Sequence, residues 1–347
     1  MSWNKWIIAF TVFAASQQAT AATVDRCDTD CGFNFCDCEP CEGWSFYADW
    51  LYWKTRKADL DYVFELDING FITASKDVCP GWDSGFRVGV LKQCGDIDFG
   101  LRYTYFSSDE SSVTTNPNGF LGRTQLGDHY AETTDGVIEY AGGSYDLKFN
   151  QIDIEIGHPL AFTDCINGRV FAGFRFASID QEFDVHYARS SSDIEGIEPQ
   201  NPVDKVYKSN DMDFYGVYIG AQSTYTLSDC LDFFGSMSLG IGTAGFDRHF
   251  KIETNEGGAA FVNKVNFGDD CWRAVSVMDL NFGITYRLCS FLCGDWALSL
   301  GYEFHHWLNT ADFISLNSGD TSGENHLDRH TDSLGFDGIF VRVSFAY

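Results

Sequence analysis

The sequence predicts an all-β fold, a transmembrane antiparallel up-and-down β-barrel of about ten strands, with long extracellular loops and short periplasmic turns. Three observations carry this. Apolar and polar residues alternate with period two through segment after segment, the connections between those segments alternate between long and short, and the amino terminus reads as an export signal.

The export signal comes first along the chain. Residues 1–22 place Lys5 ahead of an apolar run from Trp6 to Ala15 and finish on the small residues Ala19, Thr20, Ala21 and Ala22. The apolar run is too short to span a bilayer, and small residues suit a signal peptidase, so cleavage is expected after Ala22. Beyond it no run of about 18 apolar residues exists, so any membrane crossing must be made by strands. The expected division is a signal peptide over 1–22, a cysteine-rich periplasmic segment over 23–43, and the barrel over 44–347.

Composition agrees. The chain is 44% hydrophobic and 16% aromatic, with 31 Phe and 34 Gly against only 6 Pro, which favours strands and supplies two interfacial aromatic girdles. A net charge of −27 argues against nucleic acid as a partner.

Alternation locates the strands. Ile97, Phe99, Leu101, Tyr103 and Tyr105 fall on one face, and Asp98, Gly100, Arg102 and Thr104 on the other. Met278, Leu280, Phe282, Ile284 and Tyr286 repeat the split, as do Trp296, Leu298, Leu300, Tyr302 and Phe304. Ile339, Val341, Val343, Phe345 and Tyr347 close the chain on an aromatic. Ten strands are expected near 44–54, 84–91, 96–107, 147–158, 168–178, 213–226, 231–246, 274–287, 295–307 and 335–347. An even number lets the first and last pair antiparallel, which removes edges that lipid could not satisfy. Further arms around 60–66, 182–188 and 246–253 would raise the count to twelve or more. Long connections are expected at 55–83, 108–146, 179–212, 247–273 and 308–334, and short ones at 92–95, 159–167, 227–230 and 288–294.

The 12 cysteines follow that order. Every short turn holds at least one: Cys94, Cys165, Cys230, and the pair Cys289 and Cys293. Cys27, Cys31, Cys36, Cys38 and Cys41 crowd the segment before the first strand, and Cys79 and Cys271 fall near the ends of long loops. In an exported chain such a set reads as disulfide or cross-link candidates. Pairing within the chain, with the N-terminal cluster, or with neighbouring molecules all fit, because bridged Cα atoms must lie within about 7 Å and the turns are spread around a rim. The spacing of Cys36, Cys38 and Cys41 is loose for zinc, and no metal is expected.

Lumen-facing positions carry opposed charges: Arg87, Arg102, Arg175, Arg287 and Arg342 against Asp98, Asp153, Glu155, Asp279, Asp295 and Glu303. Such residues can line a pore and orient a permeating solute, or equally form a structural salt network. The interior of a ten-stranded barrel is narrow enough for side chains nearly to fill it.

The segment Phe46-Tyr47-Ala48-Asp49-Trp50-Leu51-Tyr52-Trp53, with Gly85-Phe86-Arg87-Val88-Gly89, Asp98 to Thr104, Gly301-Tyr302-Glu303-Phe304 and the aromatic end, resembles the Legionella-type major outer membrane proteins and their counterparts in chlamydia-like bacteria. The resemblance covers nearly the whole mature chain. It implies an outer-membrane, pore-forming protein whose cysteines cross-link the envelope. The expected function is therefore a porin-like channel for small solutes, cation-favouring because of the acidic loops. The alternative is a structural surface protein in a disulfide-linked network without an open pore. Expected partners are the outer-membrane bilayer, further copies of the chain, and other cysteine-rich envelope proteins.

Enzymatic activity and cofactors are not expected. His129, His186, His249, His326 and His330 in the loops, and His305 and His306 near a strand end, form no recognisable constellation. There is no Gly-x-Ser-x-Gly elbow, His-Glu-x-x-His helix or phosphate loop.

Overall fold

The computed structural model describes residues 43–67, 69, 71–115, 120–124, 138, 140–163, 165–188, 202–255, 261–288, 294–318 and 325–347. The expected signal peptide, nearly all of the expected cysteine-rich segment, Cys289, Cys293 and His129 lie outside them.

Ten strands close into one antiparallel barrel. They are β1 (Trp44–Arg56), β4 (Trp82–Cys94), β5 (Ile97–Thr115), β7 (Tyr140–Thr163), β8 (Ile166–Ala188), β9 (Pro202–Ser228), β10 (Leu231–Thr254), β11 (Val262–Arg287), β12 (Asp295–Ser318) and β13 (Asn325–Ala346). Each pairs with its neighbour in the ring, and the first pairs with the last from Ser45↔Ala346 to Arg56↔Gly335, so no edge remains at membrane height. Every strand expected from alternation is present.

Three expectations are corrected. The arm at 60–66 does not join the barrel: β2 (Asp61–Leu66) pairs with β3 (Ile72–Asp77) and β6 (Phe120–Arg123) in a separate three-stranded sheet. The arms at 182–188 and 246–253 are continuations of β8 and β10, so the ring stays at ten. Much of what was expected as loop is likewise strand: β7 begins at Tyr140, β9 at Pro202, and β11 at Val262. His186, His249 and Cys271 consequently lie in strands.

The long strands carry two opposite amphipathic patterns. On β8, Phe174 and Phe176 are exposed on the outer, lipid-facing side, whereas further up Ile179, Phe183 and Val185 are buried inside. On β9, Tyr215, Val217 and Ile219 face out, and Met212 and Val206 face in. At membrane height the apolar face meets lipid. Above it water lies outside, so the apolar residues turn inward and form a core.

The cap sheet rests on that upper core. Tyr62 is fully buried, and its hydroxyl lies 2.7 Å from Thr114 Oγ1 on β5. Tyr187 of β8 donates to the Tyr62 carbonyl at 2.7 Å, and Arg123 of β6 pairs with Asp204 of β9 at 2.7 Å. At the opposite end the turns are tight. Gly95 takes a φ of +61° between β4 and β5, a conformation glycine adopts without strain.

Candidate functional site: a charged lining beneath an aromatic layer

Within the apolar belt, inward positions carry charge. Starting at β13, Arg342 donates to Asp49 of β1 at 2.7 and 2.9 Å, and Asp49 also accepts from Arg87 of β4 at 2.9 Å. Arg87 reaches across the bore to Glu303 of β12 at 2.9 Å. His305, two residues along the same face, places Nε2 3.4 Å from Glu303 and Nδ1 2.8 Å from Asp279 of β11. Asp279 meets Arg175 of β8 at 2.8 Å, a second crossing of the bore. Arg175 pairs with Asp153 of β7 at 2.8 Å, and Asp153 also accepts from Arg102 of β5 at 2.9 Å. The result is one chain of alternating charges around the interior.

Closer to the periplasmic end, Arg169 of β8 pairs with Asp98 and Glu155, and the Tyr218 hydroxyl donates to Glu155 at 3.0 Å. Arg287 bonds Asp232 at 2.5 and 2.6 Å, but its side chain is largely exposed at the rim, as is Asp295. Of the expected lining residues, these two stand at the mouth of the bore. The other nine point inward and are joined to one another or to Asp49, Arg169 and His305.

Those last three were not read from the sequence as lining residues although the signal was present. Asp49 shares its face with Tyr47, Leu51 and Trp53, Arg169 shares the parity of Arg175, and His305 that of Glu303. What alternation could not supply was which charges meet across the ring.

Above the charges lies an aromatic layer. Trp53 packs against Phe106 at 5.3 Å, His305 at 4.8 Å and Phe336 at 5.8 Å between ring centroids. Phe149 of β7 meets Trp307 of β12 at 5.9 Å and Phe336 of β13 at 5.0 Å. Since β7 and β12 stand on opposite sides of the ring, side chains bridge the bore at this level.

The electrostatics outside differ from those inside. On the outer surface above the belt, Asp180, Asp211, Asp247 and Asp270 stand in direct register across β8, β9, β10 and β11. Like charges directly opposite repel. Burial and the neighbouring carboxylates Asp180 and Asp247 push the Asp211 carboxyl, which lies outside the membrane-spanning part of β9, above the usual carboxylate range.

None of the five described cysteines is joined to another: Cys79 and Cys165 are exposed, and Cys94, Cys230 and Cys271 are half-buried. Cys94 ends β4, while Cys165 and Cys230 sit in the turns before β8 and β10. Consecutive turns stand two strand spacings apart, about 10 Å, too far for direct bridging.

No curated protein matches the chain in sequence. Among solved structures, the outer membrane protease OmpT from Escherichia coli is 10% identical, covering 88% of this chain and 96% of that one with a TM-score of 0.46. The toluene transporter TodX from P. putida is 10% identical over 88% and 90% of the two chains, with a TM-score of 0.32. The translocator domain of the autotransporter NalP from Neisseria meningitidis is 9% identical over 88% of each, at 0.33. None of these three likenesses bears on what this chain does. A family model described as Legionella pneumophila major outer membrane protein precursor matches residues 38–347, and with the closed, lipid-belted barrel this places the chain in that family, embedded in the outer-membrane bilayer.

Proposed function

We propose that the chain is a non-enzymatic, porin-like channel for small solutes, with the charged lining as its path. The observation that carries this is the chain of charges from Arg342 to Arg102 at membrane height. Burying ions costs several kcal/mol each, and apolar side chains of similar volume fill such a space at no loss of stability, about 1–4 kcal/mol in their favour in measured cases. Charges kept inside a membrane-spanning structure mark a solute or ion path by default. Opposed signs across a narrow bore orient a permeating dipole.

Carboxylates and guanidiniums nearly balance in the lining, so selectivity falls to the acidic exterior. The net charge of −27 and the aspartate row above the belt concentrate cations near the mouth. Passage requires the bridging aromatic side chains to part.

Those bridging contacts favour a second reading, a closed barrel that anchors a disulfide-linked surface network. Cys94 and Cys165, too far apart to pair directly, would then link to the N-terminal cysteines or to other envelope molecules.

Single-channel recording of refolded residues 23–347, under oxidising and reducing conditions, decides between them. Discrete steps with cation-biased reversal potentials support the channel. Silent membranes from protein whose gel mobility shifts on heating, together with reductant-sensitive ladders in cells, support the anchor.

A further inference from the structure

The barrel wall splits above the membrane. Pairing between β11 and β12 ends at Ser276↔Leu308, although β11 continues to Val262 beside β10 and β12 continues to Ser318 beside β13. At the same height β12 breaks register with β13. The pairing jumps from Trp307↔Leu334 to Ala311↔Asp332, so β12 holds two residues more than its partner. Within this bulge Asn309 takes a φ of 64°, a left-handed conformation that asparagine tolerates better than most residues, and Thr310 Oγ1 donates to the Trp307 carbonyl at 3.0 Å.

The bulge turns the upper β12–β13 hairpin inward. Asn210 of β9, fully buried, donates its amide to the Thr310 carbonyl at 3.0 Å. Phe313 stacks on Phe183 of β8 with centroids 6.1 Å apart, and Lys57 Nζ stands 3.5 Å from the centroid of the Phe313 ring. In the ring order, β8 and β9 lie across from β12 rather than beside it, so the arm spans the extracellular mouth.

We propose that the paired upper arms of β12 (311–318) and β13 (325–332) are a lid over the bore, hinged at Leu308 and Asn309 and latched to the far wall by Asn210, through the Thr310 carbonyl, and by Phe183. The split from β11 leaves it free to swing, since no ladder on that side must break. Opening lifts Phe313 off Phe183 and exposes the path down to the aromatic layer. The lid deepens the channel reading and rests on it.

The test compares the wild-type chain with an Asn210→Ala/Phe313→Ala double variant, both refolded and checked by heat-shifted gel mobility. Two quantities are read: amide hydrogen exchange over 311–318 and 325–332, and single-channel open probability. The expected result is faster exchange in the arm with an open probability raised about tenfold, the shift that losing a hydrogen bond and an aromatic contact from the closed state produces. Unchanged exchange overturns the latch. Faster exchange with unchanged current in a conducting protein overturns the lid while leaving the channel standing. Faster exchange with no current from either protein overturns the channel reading and the gating with it.

Discussion

The indole of Trp53 donates to Glu303 at 2.9 Å, and the same carboxylate oxygen accepts from Arg87 at 2.9 Å. Trp53 thus belongs to two layers: its ring is part of the aromatic closure, and its N–H is bound into the charged lining. Movement of the closure and rearrangement of the charges are coupled through this side chain, and through His305, which packs on its ring and bonds Asp279.

Trp53→Phe keeps most of the ring and deletes the donor. The expected cost is about 1–3 kcal/mol in urea unfolding from micelles, with little change in current. Trp53→Ala removes the ring, costs about 3–5 kcal/mol, and raises single-channel conductance by opening a gap in the layer. Equal currents from Trp53→Ala and wild type would show that the layer is not the constriction.

Asp153 is shared by Arg175 and Arg102. Asp153→Asn preserves shape but leaves two buried guanidiniums short of their counter-charge, an expected loss of about 3–5 kcal/mol. Combining it with Arg175→Met should recover part of that loss, and a double-mutant cycle measures how much. Removing a lining carboxylate should also move reversal potentials toward anions.

The ten strands were legible because alternation records which side of a strand meets lipid, and Ile97 to Tyr105 or Met278 to Tyr286 can be read directly. The upper strands were not. On β7 the outward apolar set Ile152, Ile154 and Ile156 gives way to the inward set Phe149, Leu147 and Tyr145, so the apolar parity reverses at the membrane surface. A reading in one phase ends there and reports a loop. The β2–β6 pairing was equally hidden, because Val63↔Arg123 joins segments from different hairpins and leaves no periodic trace. Among site residues, parity identified inward positions such as Arg87 and Asp279. Their partners Glu303 and Arg175 follow only once the sheet closes.

Closure also constrains Gly338, which sits opposite Trp53 in the β1–β13 seam. A Cβ there would lie 2.2 Å from the Tyr52 carbonyl oxygen and 2.7 Å from the Trp53 Cα, both backbone atoms that cannot move aside cheaply. Gly338→Ala should cost about 1–3 kcal/mol by loosening the seam. Gly268→Ala, whose nearest neighbour would be the Arg248 carbonyl at 3.8 Å, should fall within about 0.5 kcal/mol of wild type. Thermal gel-shift midpoints for the two variants check the contrast, and equal midpoints would count against a tight seam.

Cys79 gives a pH prediction. Its thiol follows β3, and Sγ donates to Asp77 Oδ2 at 3.1 Å. The hydrogen bond to that carboxylate, with some burial, pushes the Cys79 thiol above its ordinary value. A raised pKa lowers the thiolate fraction at any pH below it, and thiolate is the species that attacks maleimides and disulfides. Maleimide labelling of Cys79 should therefore be slow near neutrality and climb through a higher pH range than an ordinary thiol. Asp77→Asn removes the carboxylate and should shift the profile to lower pH, with a rate near neutral pH raised about tenfold for each pKa unit recovered. Rates followed by mass spectrometry, site by site, give the answer, and superimposable profiles would mean that Asp77 does not control the thiol. Placement predicts where cross-links form. Cys79→Ser should leave a non-reducing ladder intact, whereas replacing Cys94, Cys165 and Cys230 together should shorten it, because those three stand at the periplasmic turns, on the side from which the N-terminal cysteines lead into β1.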